Sequence, residues 1–422
     1  MLVGSGAGVA PVVAGELAYG VGYAAARDSN LAHVPENPVA EQTHVLVGGF
    51  FYQEDTIDLK ARVLVQAEER HYARETFVDD SGVFVDGTAV WTISPRQFTW
   101  TVDDIYRETR VDLTTPDTPA NRTDTNSLRT GPDLTLRLNT SSSLGLGGRY
   151  GQFDIKGPGD NQRVSGYAQL AHQFSAATTF SLRYETMNAD YEPPALFAKV
   201  RRKDLFAHYE TRATPTDVAM IDLGATRFSP EGGEKIHGRL AKASIARLLT
   251  PDSTLRASLA DRLSDTFSDL LGRSEISAFV VPTATADVYR NKSADLSYAV
   301  QGARIGYSVL GFAQRIDYEN LGQDFDERGG RLAWDWRPSV DLRFDAATTY
   351  VKRTFQSVDR TDVERDHAIS IAYLLTRNWS AAVEGAYTEA ESTVPLGNFV
   401  NRRVALKLAY SSGPLYSPKS RR

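Results

Sequence analysis

The stretch 329–355 constrains the fold of this chain more than any other, because it alternates apolar and polar residues around one tight turn. Side chains on a strand point to opposite faces with a period of two. After the turn, one face would carry Leu342, Phe344, Ala346, Thr348 and Tyr350, and the other Asp341, Arg343, Asp345 and Ala347. Pro338, which has no N–H for a ladder, marks the turn, and Trp334 and Trp336 precede it. A lipid-facing barrel strand needs such an apolar face, edged by aromatic rings and backed by charge.

The same unit repeats along the whole chain, with almost no helical period between the repeats. A strand in a soluble sheet is usually about 5–6 residues long, whereas a strand that crosses a membrane needs about 9–11, and many segments here are long. Short turns of about two to five residues alternate with longer polar loops, as in outer-membrane barrels. The sequence therefore predicts an all-β fold, a single antiparallel transmembrane β-barrel of about 20 strands, within a range of roughly 18 to 22.

The predicted barrel divides the chain into three parts. Residues 1–14 are small and apolar and end in Val12-Val13-Ala14, which resembles a signal-peptidase site, so we interpret them as the remnant of a secretion signal. Residues 15–410 are predicted to form the barrel, and residues 411–422 a short periplasmic tail. An even number of strands places both termini, and the short turns, in the periplasm. The polar stretches 107–132 and 187–203 are predicted to be long external loops.

Composition excludes several other classes of protein. The net charge of −6 argues against a nucleic-acid partner, since such proteins are usually basic. Cysteine is absent, which excludes thiolate metal sites and cysteine nucleophiles. The seven histidines show no metal-ligand spacing. We therefore expect no cofactor, no metal and no enzyme activity. One alternative stays open, a lipid hydrolase with a serine beside His172 or His208 on adjacent strands.

Charged residues on the polar faces are the candidates for lining the lumen. They are Lys60, Arg62, Arg183, Glu185, Arg256, Arg262, Asp341, Arg343 and Asp345. If they face inward, they would line a hydrated pore and form ion pairs across it, or they would simply fill a polar interior. A pore for an anionic polymer should show a cationic excess, and this mixture of signs does not indicate the charge of a substrate.

One loop is unusually apolar and predicts a short helix. In 264–272, Phe267, Leu270 and Leu271 have helical spacing behind Ser264 as an N-cap, and an apolar segment containing Phe279 follows. Large barrels are often plugged by loops or a helix, so Phe267, Leu270, Leu271 and Phe279 are the candidate constriction. The alternative is a small external helix packed on neighbouring loops.

The end of the chain resembles the C-terminal signal that the outer-membrane assembly machinery recognises. That signal has a polar residue, a small residue two positions on, and then two bulky apolar residues spaced by one. Arg403, Ala405, Leu408 and Tyr410 fill these places. Ala405 stands where glycine is usual, and residues 411–422 extend past the aromatic residue that normally ends such chains.

The stretch 98–153 resembles a family of porin-like outer-membrane barrels found beside exopolysaccharide synthesis and export genes of Gram-negative bacteria. The matching motifs are Trp100 with Asp103-Asp104, Thr118-Pro119-Ala120-Asn121-Arg122, Asn126, and Thr130-Gly131-Pro132-Asp133. The resemblance implies a location in the outer membrane, with outer-membrane lipid and lipopolysaccharide as partners and polysaccharide or periplasmic export components as possible further ones. Members of the family share no catalytic motif.

The leading functional hypothesis is a passive porin-like channel associated with exopolysaccharide export. A second hypothesis is a plugged barrel with a structural or surface-interaction role, whose external loops bind a partner. The third is the lipid hydrolase, and the fourth is a soluble β-rich periplasmic protein. The four differ in whether the barrel conducts ions, turns over lipid or dissolves without detergent.

Overall fold

Twenty β-strands form one closed antiparallel sheet. The computed structural model describes residues 15–155, 159–192, 199–271, 287–320 and 322–413, and the proposed signal remnant and most of the proposed tail lie outside them. Each strand pairs with its neighbours in sequence, and β1 pairs with β20, which closes the barrel and confirms the predicted fold. The strands are β1 Glu16–Asp28, β2 Glu41–Asp55, β3 Leu59–Tyr72, β4 Asp80–Ser94, β5 Phe98–Arg110, β6 Arg122–Arg137, β7 Ser142–Ile155, β8 Asn161–Ser175, β9 Thr178–Tyr191, β10 Lys199–Thr214, β11 Asp217–Pro230, β12 Ile236–Thr250, β13 Ser253–Asp265, β14 Val288–Gln301, β15 Ile305–Tyr318, β16 Phe325–Trp336, β17 Leu342–Phe355, β18 Arg360–Leu374, β19 Trp379–Ser392 and β20 Phe399–Ser411.

Helix is almost absent from the described chain. The one α-helix, α1 at Thr266–Leu271, follows β13, and short 3-10 turns lie at Pro119–Asn121 and Pro395–Gly397. Among the described residues, no helix has the length and apolar character needed to cross a bilayer.

The two ends of the barrel differ in the length of their connections. At the end where β1 begins and β20 finishes, the strands are joined by turns of two to five residues, whereas most connections at the opposite end are longer. We refer to these ends as periplasmic and external, following the arrangement of outer-membrane barrels.

The predicted external loops 107–132 and 187–203 were wrong in extent. β5 continues to Arg110 and β6 begins at Arg122, while β9 continues to Tyr191 and β10 begins at Lys199. Pro132 therefore lies inside β6, where the ladder to β7 skips from the Thr130 pair to the Asp133 pair. A proline has no N–H for a ladder and is tolerated at such an interruption. Strand ends that project beyond the bilayer are polar, and for that reason they resemble loops in the sequence.

Aromatic side chains mark the periplasmic edge of the lipid-facing surface. All five tryptophans, Trp91, Trp100, Trp334, Trp336 and Trp379, are exposed and lie within a few residues of the short turns. The Trp336 ring lies 5.2 Å from that of Phe344, and Tyr410 lies 5.5 Å from Trp379. Such a girdle belongs at a membrane interface, where an amphipathic ring is half wet.

Substitutions at two neighbouring residues of β14 test which face of the wall contacts lipid. Leu296 is 54% exposed on the outer face, and its neighbour Ser297 faces the lumen. Leu296→Arg is expected to destabilise the folded barrel by about 2–4 kcal/mol if the position is near the bilayer midplane, because a charge enters lipid. Denaturant unfolding in vesicles measures the change, with Ser297→Arg as the matched control. Equal losses for the two variants would contradict this assignment of the faces.

Candidate functional site: the external mouth of the barrel

The predicted lumen-lining residues occupy the inner face of the wall, with one exception. Residues paired across strands share a face, and the exposed large apolar side chains mark the outer one. By this register Lys60, Arg62, Arg183, Glu185, Arg256, Arg262, Arg343 and Asp345 point inward. Asp341 lies in the turn before β17 and not on the strand, because the strand begins at Leu342.

Ion pairs among these residues run along the wall. Arg183 is 3.2 Å from Glu185, and Arg343 is 2.6 Å from Asp345, in each case two residues away on the same strand. The guanidinium of Arg183 also stacks 3.9 Å from the centre of the Tyr167 ring. The predicted pairing of these residues across the lumen is therefore not seen in the described chain. Their charges are largely balanced in place and leave the wall polar with both signs.

Asp133 is the centre of the polar wall on β6 to β8. Its carboxylate accepts hydrogen bonds from Arg149 at 2.6 Å and from the Tyr167 hydroxyl at 2.6 Å. The Tyr167 ring covers Gly147, where a Cβ atom would lie 2.2 Å from the ring. Only glycine fits at this position, so the close approach fixes the Tyr167 ring against the wall.

α1 folds into the lumen and reaches the opposite wall. The Phe267 ring packs edge-on against Phe153 of β7 with 4.5 Å between the ring centres, and Arg163 of β8 lies 3.8 Å from the centre of the same ring. Both strands are separated from β13 by several others in the sheet, so the contact crosses the interior. Leu270 and Leu271 lie in the last turn of α1, and Phe279 lies outside the described residues.

Two buried ion pairs hold α1 in this position. Asp265 is 2.9 Å from Arg163, and both side chains are almost fully buried. Asp269 is 2.7 Å from Arg262 and accepts a hydrogen bond from the Tyr289 hydroxyl at 2.6 Å. The predicted N-cap, Ser264, donates instead to Asp269, while Asp265 accepts the Ser268 N–H and caps the helix.

The loop 111–121, between β5 and β6, crosses the mouth from the other side. Leu113 is only 4% exposed and packs with Tyr289, Ile316, Phe325 and Phe355 of β14 to β17. Arg360 of β18 donates to the carbonyl oxygen of Thr114 at 2.5 Å. We call this loop and the segment 265–271 the two mouth segments. Together they occupy the external part of the lumen from opposite walls.

Internal hydrogen bonds keep the 111–121 loop compact. The amide of Asn121 donates to the carbonyl oxygens of Asp112 at 2.7 Å and Thr115 at 3.0 Å. Burial raises the pKa of Asp112, but hydrogen bonds from Thr114 and Thr115 outweigh it, so the pKa is lowered overall. Burial likewise raises the pKa of Asp117, and the charge and hydrogen bond of Arg122 bring it below its ordinary value. Both carboxylates thus remain ionised at neutral pH.

Sequence reasoning did not identify the 111–121 loop as part of the lumen. The available signal was Leu113, one of two large apolar residues, with Val111, in a stretch rich in aspartate, threonine and proline. Such a residue has no periodicity to reveal it. Its burial depends on partners that are far away in the sequence.

One serine and one histidine on neighbouring strands form a hydrogen-bonded pair, as the hydrolase hypothesis requires. The Ser142 hydroxyl lies 2.9 Å from Nδ1 of His172 on the neighbouring strand, near the periplasmic turns. No carboxylate within hydrogen-bonding distance of His172 is recorded in the described chain. His208 pairs with Asp222 at 2.6 Å rather than with a serine. An acyl-transfer site needs the nucleophile, the base and an orienting group together, and neither histidine brings all three together.

The proposed assembly signal lies on the strand that closes the barrel. Arg403 and Ala405 face inward on β20, whereas Leu408 and Tyr410 face outward. Tyr410 contacts Tyr19 of β1, with ring centres 6.3 Å apart, in addition to Trp379 of β19. The last aromatic residue of the signal therefore joins three strands at the periplasmic edge.

Comparisons with known proteins agree with this architecture. A family model described as "Putative beta-barrel porin 2" matches residues 331–411, which correspond to β16 through β20. No curated protein matches the chain. Two solved structures of the FrpB iron transporter from Neisseria meningitidis are similar. The F3-3 variant has a TM-score of 0.51 and 10% identity and covers 93% of this chain and 81% of its own. The F5-1 variant has a TM-score of 0.52 and 9% identity, covering 93% and 82%.

At this level of identity the solved structures show the fold alone. The closed barrel, its aromatic edge and the family match over residues 331–411 place the chain in the outer membrane of a Gram-negative bacterium, which confirms the predicted location. The link to exopolysaccharide genes stays a prediction.

Proposed function

We propose that the protein is a porin-like channel whose external mouth is closed by the two mouth segments and opens when they leave the lumen. The observation that carries this proposal is their crossed arrangement. α1 extends from β13 to β7 and β8, and the 111–121 loop extends from β5 and β6 to β14 through β18. The rest of the lumen wall is polar, as a hydrated path requires.

The mouth segments are held less firmly than the wall. Each strand of the wall is hydrogen-bonded to two neighbours along most of its length. In contrast, α1 is attached to the far wall through Phe267 and through the bonds of Asp265 and Ser268 to Arg163. Elements with few contacts open at a lower free-energy cost than the sheet around them. Displacement of the mouth segments is therefore the least costly way to open the barrel.

The inner wall favours passage without strong charge selection. Arg149 and Arg183 face the same lumen as Asp133 and Glu185, and each is engaged by a partner of opposite sign. A strongly selective pore would present an excess of one sign at its constriction. We therefore propose a channel for hydrophilic solutes, and we retain extracellular polysaccharide as the substrate implied by the family resemblance.

A filled mouth also favours a second function, a closed barrel that acts through its external surface. Leu113 and Phe267 are buried as core residues are. A permanently closed barrel would conduct no ions as the wild type, even if removal of a mouth segment opened it, so the conductance of the wild type separates the two functions.

The test is single-channel conductance of the purified full chain in planar bilayers, compared with a variant lacking residues 264–281. We expect small or brief openings of the wild type and larger, longer ones of the deletion. In the native host, loss of the gene is expected to reduce surface polysaccharide. Silence of both proteins together with unchanged surface polysaccharide would leave the channel without support and favour the surface-interaction barrel.

A further inference from the structure

The outer face of the barrel carries a groove in its external half. It has a volume of about 860 Å³ and extends over β11 to β17. Most of its lining residues belong to the lipid-facing set, including Leu223 and Leu259, which are 58% and 59% exposed, and a minority, such as Gln314, have inward register. Small residues, Ala241, Ala243, Ala294 and Ala313, form much of its floor. Because most of its lining faces outward, the groove is an indentation of the lipid-facing surface.

Four cationic side chains lie along the external edge of this groove, one on each of four consecutive strands. They are Lys292 on β14, Arg315 on β15, Arg328 on β16 and Lys352 on β17, and all four contribute to the lining. Ala294 and Ala313 are the next outward residues toward the periplasm from Lys292 and Arg315. The small-residue floor thus begins directly beneath the charges.

The register sets like charges opposite each other. Lys292 is the direct cross-strand partner of Arg315, and Arg328 is the partner of Lys352, while on their other sides Lys292 lies opposite Asp261 and Arg315 opposite Asp326. Like charges directly opposite each other on a sheet destabilise it. Arg315 is relieved by Asp317 at 2.7 Å, whereas Lys292, Arg328 and Lys352 form no ion pair within 4 Å in the part of the chain that the structure describes, and the acid opposite Lys292, Asp261, is engaged by Arg290. An anion from outside the protein would remove this repulsion.

The other charged residues on this part of the outer face add to the excess of cations over acids. On the external half of β12 to β17, six outward cations face three outward acids. The cations are Arg239, Arg290, Lys292, Arg315, Arg328 and Lys352, and the acids are Asp261, Asp317 and Asp326. Asp261 is already occupied by Arg290 at 2.9 Å. In contrast, the outer face of β3 to β9 carries acids near its external end, including Glu69, Asp124 and Asp154.

We propose that this groove binds one phosphorylated, multiply acylated lipid of the outer leaflet, a lipopolysaccharide molecule. Lys292, Arg328 and Lys352 would hold its phosphates, which form strong charge-assisted hydrogen bonds with such groups. The acyl chains would lie in the trough over Ala294 and Ala313. At Gly311, farther along β15, an added Cβ would meet nothing within 4 Å, so the trough continues as open space toward the bilayer midplane.

The test is native mass spectrometry of the detergent-purified full chain titrated with bis-phosphorylated lipid A. The triple variant Lys292→Gln, Arg328→Gln, Lys352→Gln is expected to bind about tenfold more weakly or worse, since charge-assisted contacts are lost. The control is the double variant Arg27→Gln, Arg402→Gln, because both arginines are outward and external on β1 and β20. The control is expected to bind as the wild type does, and dephosphorylated lipid A is expected to bind weakly to every form.

A second variant tests the acyl trough independently of charge. Ala313→Trp fills the floor of the groove, keeps every cation and is expected to weaken lipid A binding. Wild-type affinity in the triple variant would overturn the proposal, as would an equal loss in the control. Displacement of lipid A by inorganic phosphate, together with no effect of Ala313→Trp, would show a simple phosphate site and overturn the lipid assignment.

Discussion

Replacing Arg163 with alanine is expected to raise the single-channel conductance of the barrel severalfold and to lengthen its openings. Arg163 pairs with Asp265 at 2.9 Å, stacks on Phe267 at 3.8 Å and donates to the Ser268 hydroxyl at 3.4 Å, so it connects α1 to the far wall by three contacts. Without it, Asp265 keeps its hydrogen bonds from Ser268 but is left buried without its ion-pair partner in the docked state. Breaking a buried pair from one side costs about 3–5 kcal/mol, which shifts the docked population by more than roughly a hundredfold.

A matched control separates release of α1 from a change in the charge of the pore. Arg149 is also inward, lies on the adjacent strand and is paired with Asp133 at 2.6 Å, but it makes no recorded contact with α1. Arg149→Ala removes the same charge and should leave the gating pattern unchanged. If both variants gain conductance equally, the effect belongs to pore charge and the gate assigned to α1 is wrong. If neither gains, α1 does not limit conduction.

The wall of the barrel was predictable from the sequence because the pattern of each strand depends only on residues that are close together in the chain. The alternation of Leu342, Phe344 and Ala346 with Arg343 and Asp345 depends only on the two faces of one strand. Repetition of this unit at membrane-crossing length led to 20 strands, and the structure has that number. Tryptophans beside the short turns indicated the periplasmic edge by the same local logic.

The mouth was only partly predictable, because its contacts are not local. The helical spacing of Phe267, Leu270 and Leu271 predicted a helix, and α1 is present. Nothing near Phe267 in sequence indicates that Phe153 and Arg163 are its partners. Leu113 is a stronger case, since it is a buried apolar residue in a mostly polar loop and packs on four strands from the other half of the chain.

The exterior groove is a feature that the alternation of residues along single strands could not predict. The pattern assigns Lys292, Arg328 and Lys352 to outward positions one strand at a time, and each alone resembles an ordinary polar strand end. Only the register places Arg328 opposite Lys352 and sets Lys292 beside Arg315. A site formed by four neighbouring strands therefore becomes visible only when the pairing of those strands is known.

Replacing Arg353 with methionine is expected to destabilise the folded barrel by about 3–5 kcal/mol, because Glu327 would be left buried without its partner. Glu327 forms an ion pair with Arg353 and accepts a hydrogen bond from Gln314 at 2.8 Å, and its side chain is 2% exposed. Adding Glu327→Gln removes the second charge and keeps an acceptor for Gln314. The double variant is therefore expected to recover most of the loss, and denaturant unfolding of the protein in vesicles measures both changes.

The control for this prediction is an ion pair on the open wall. Arg343 lies 2.6 Å from Asp345, but the two side chains are 30% and 38% exposed. Arg343→Met should therefore cost no more than about 1 kcal/mol, because an exposed pair gains little over its solvated charges. Equal losses from Arg353→Met and Arg343→Met would mean that the external mouth is as wet as the wall below it. The mouth segments would then not seal the barrel, and the gate proposed from them would lose its physical basis.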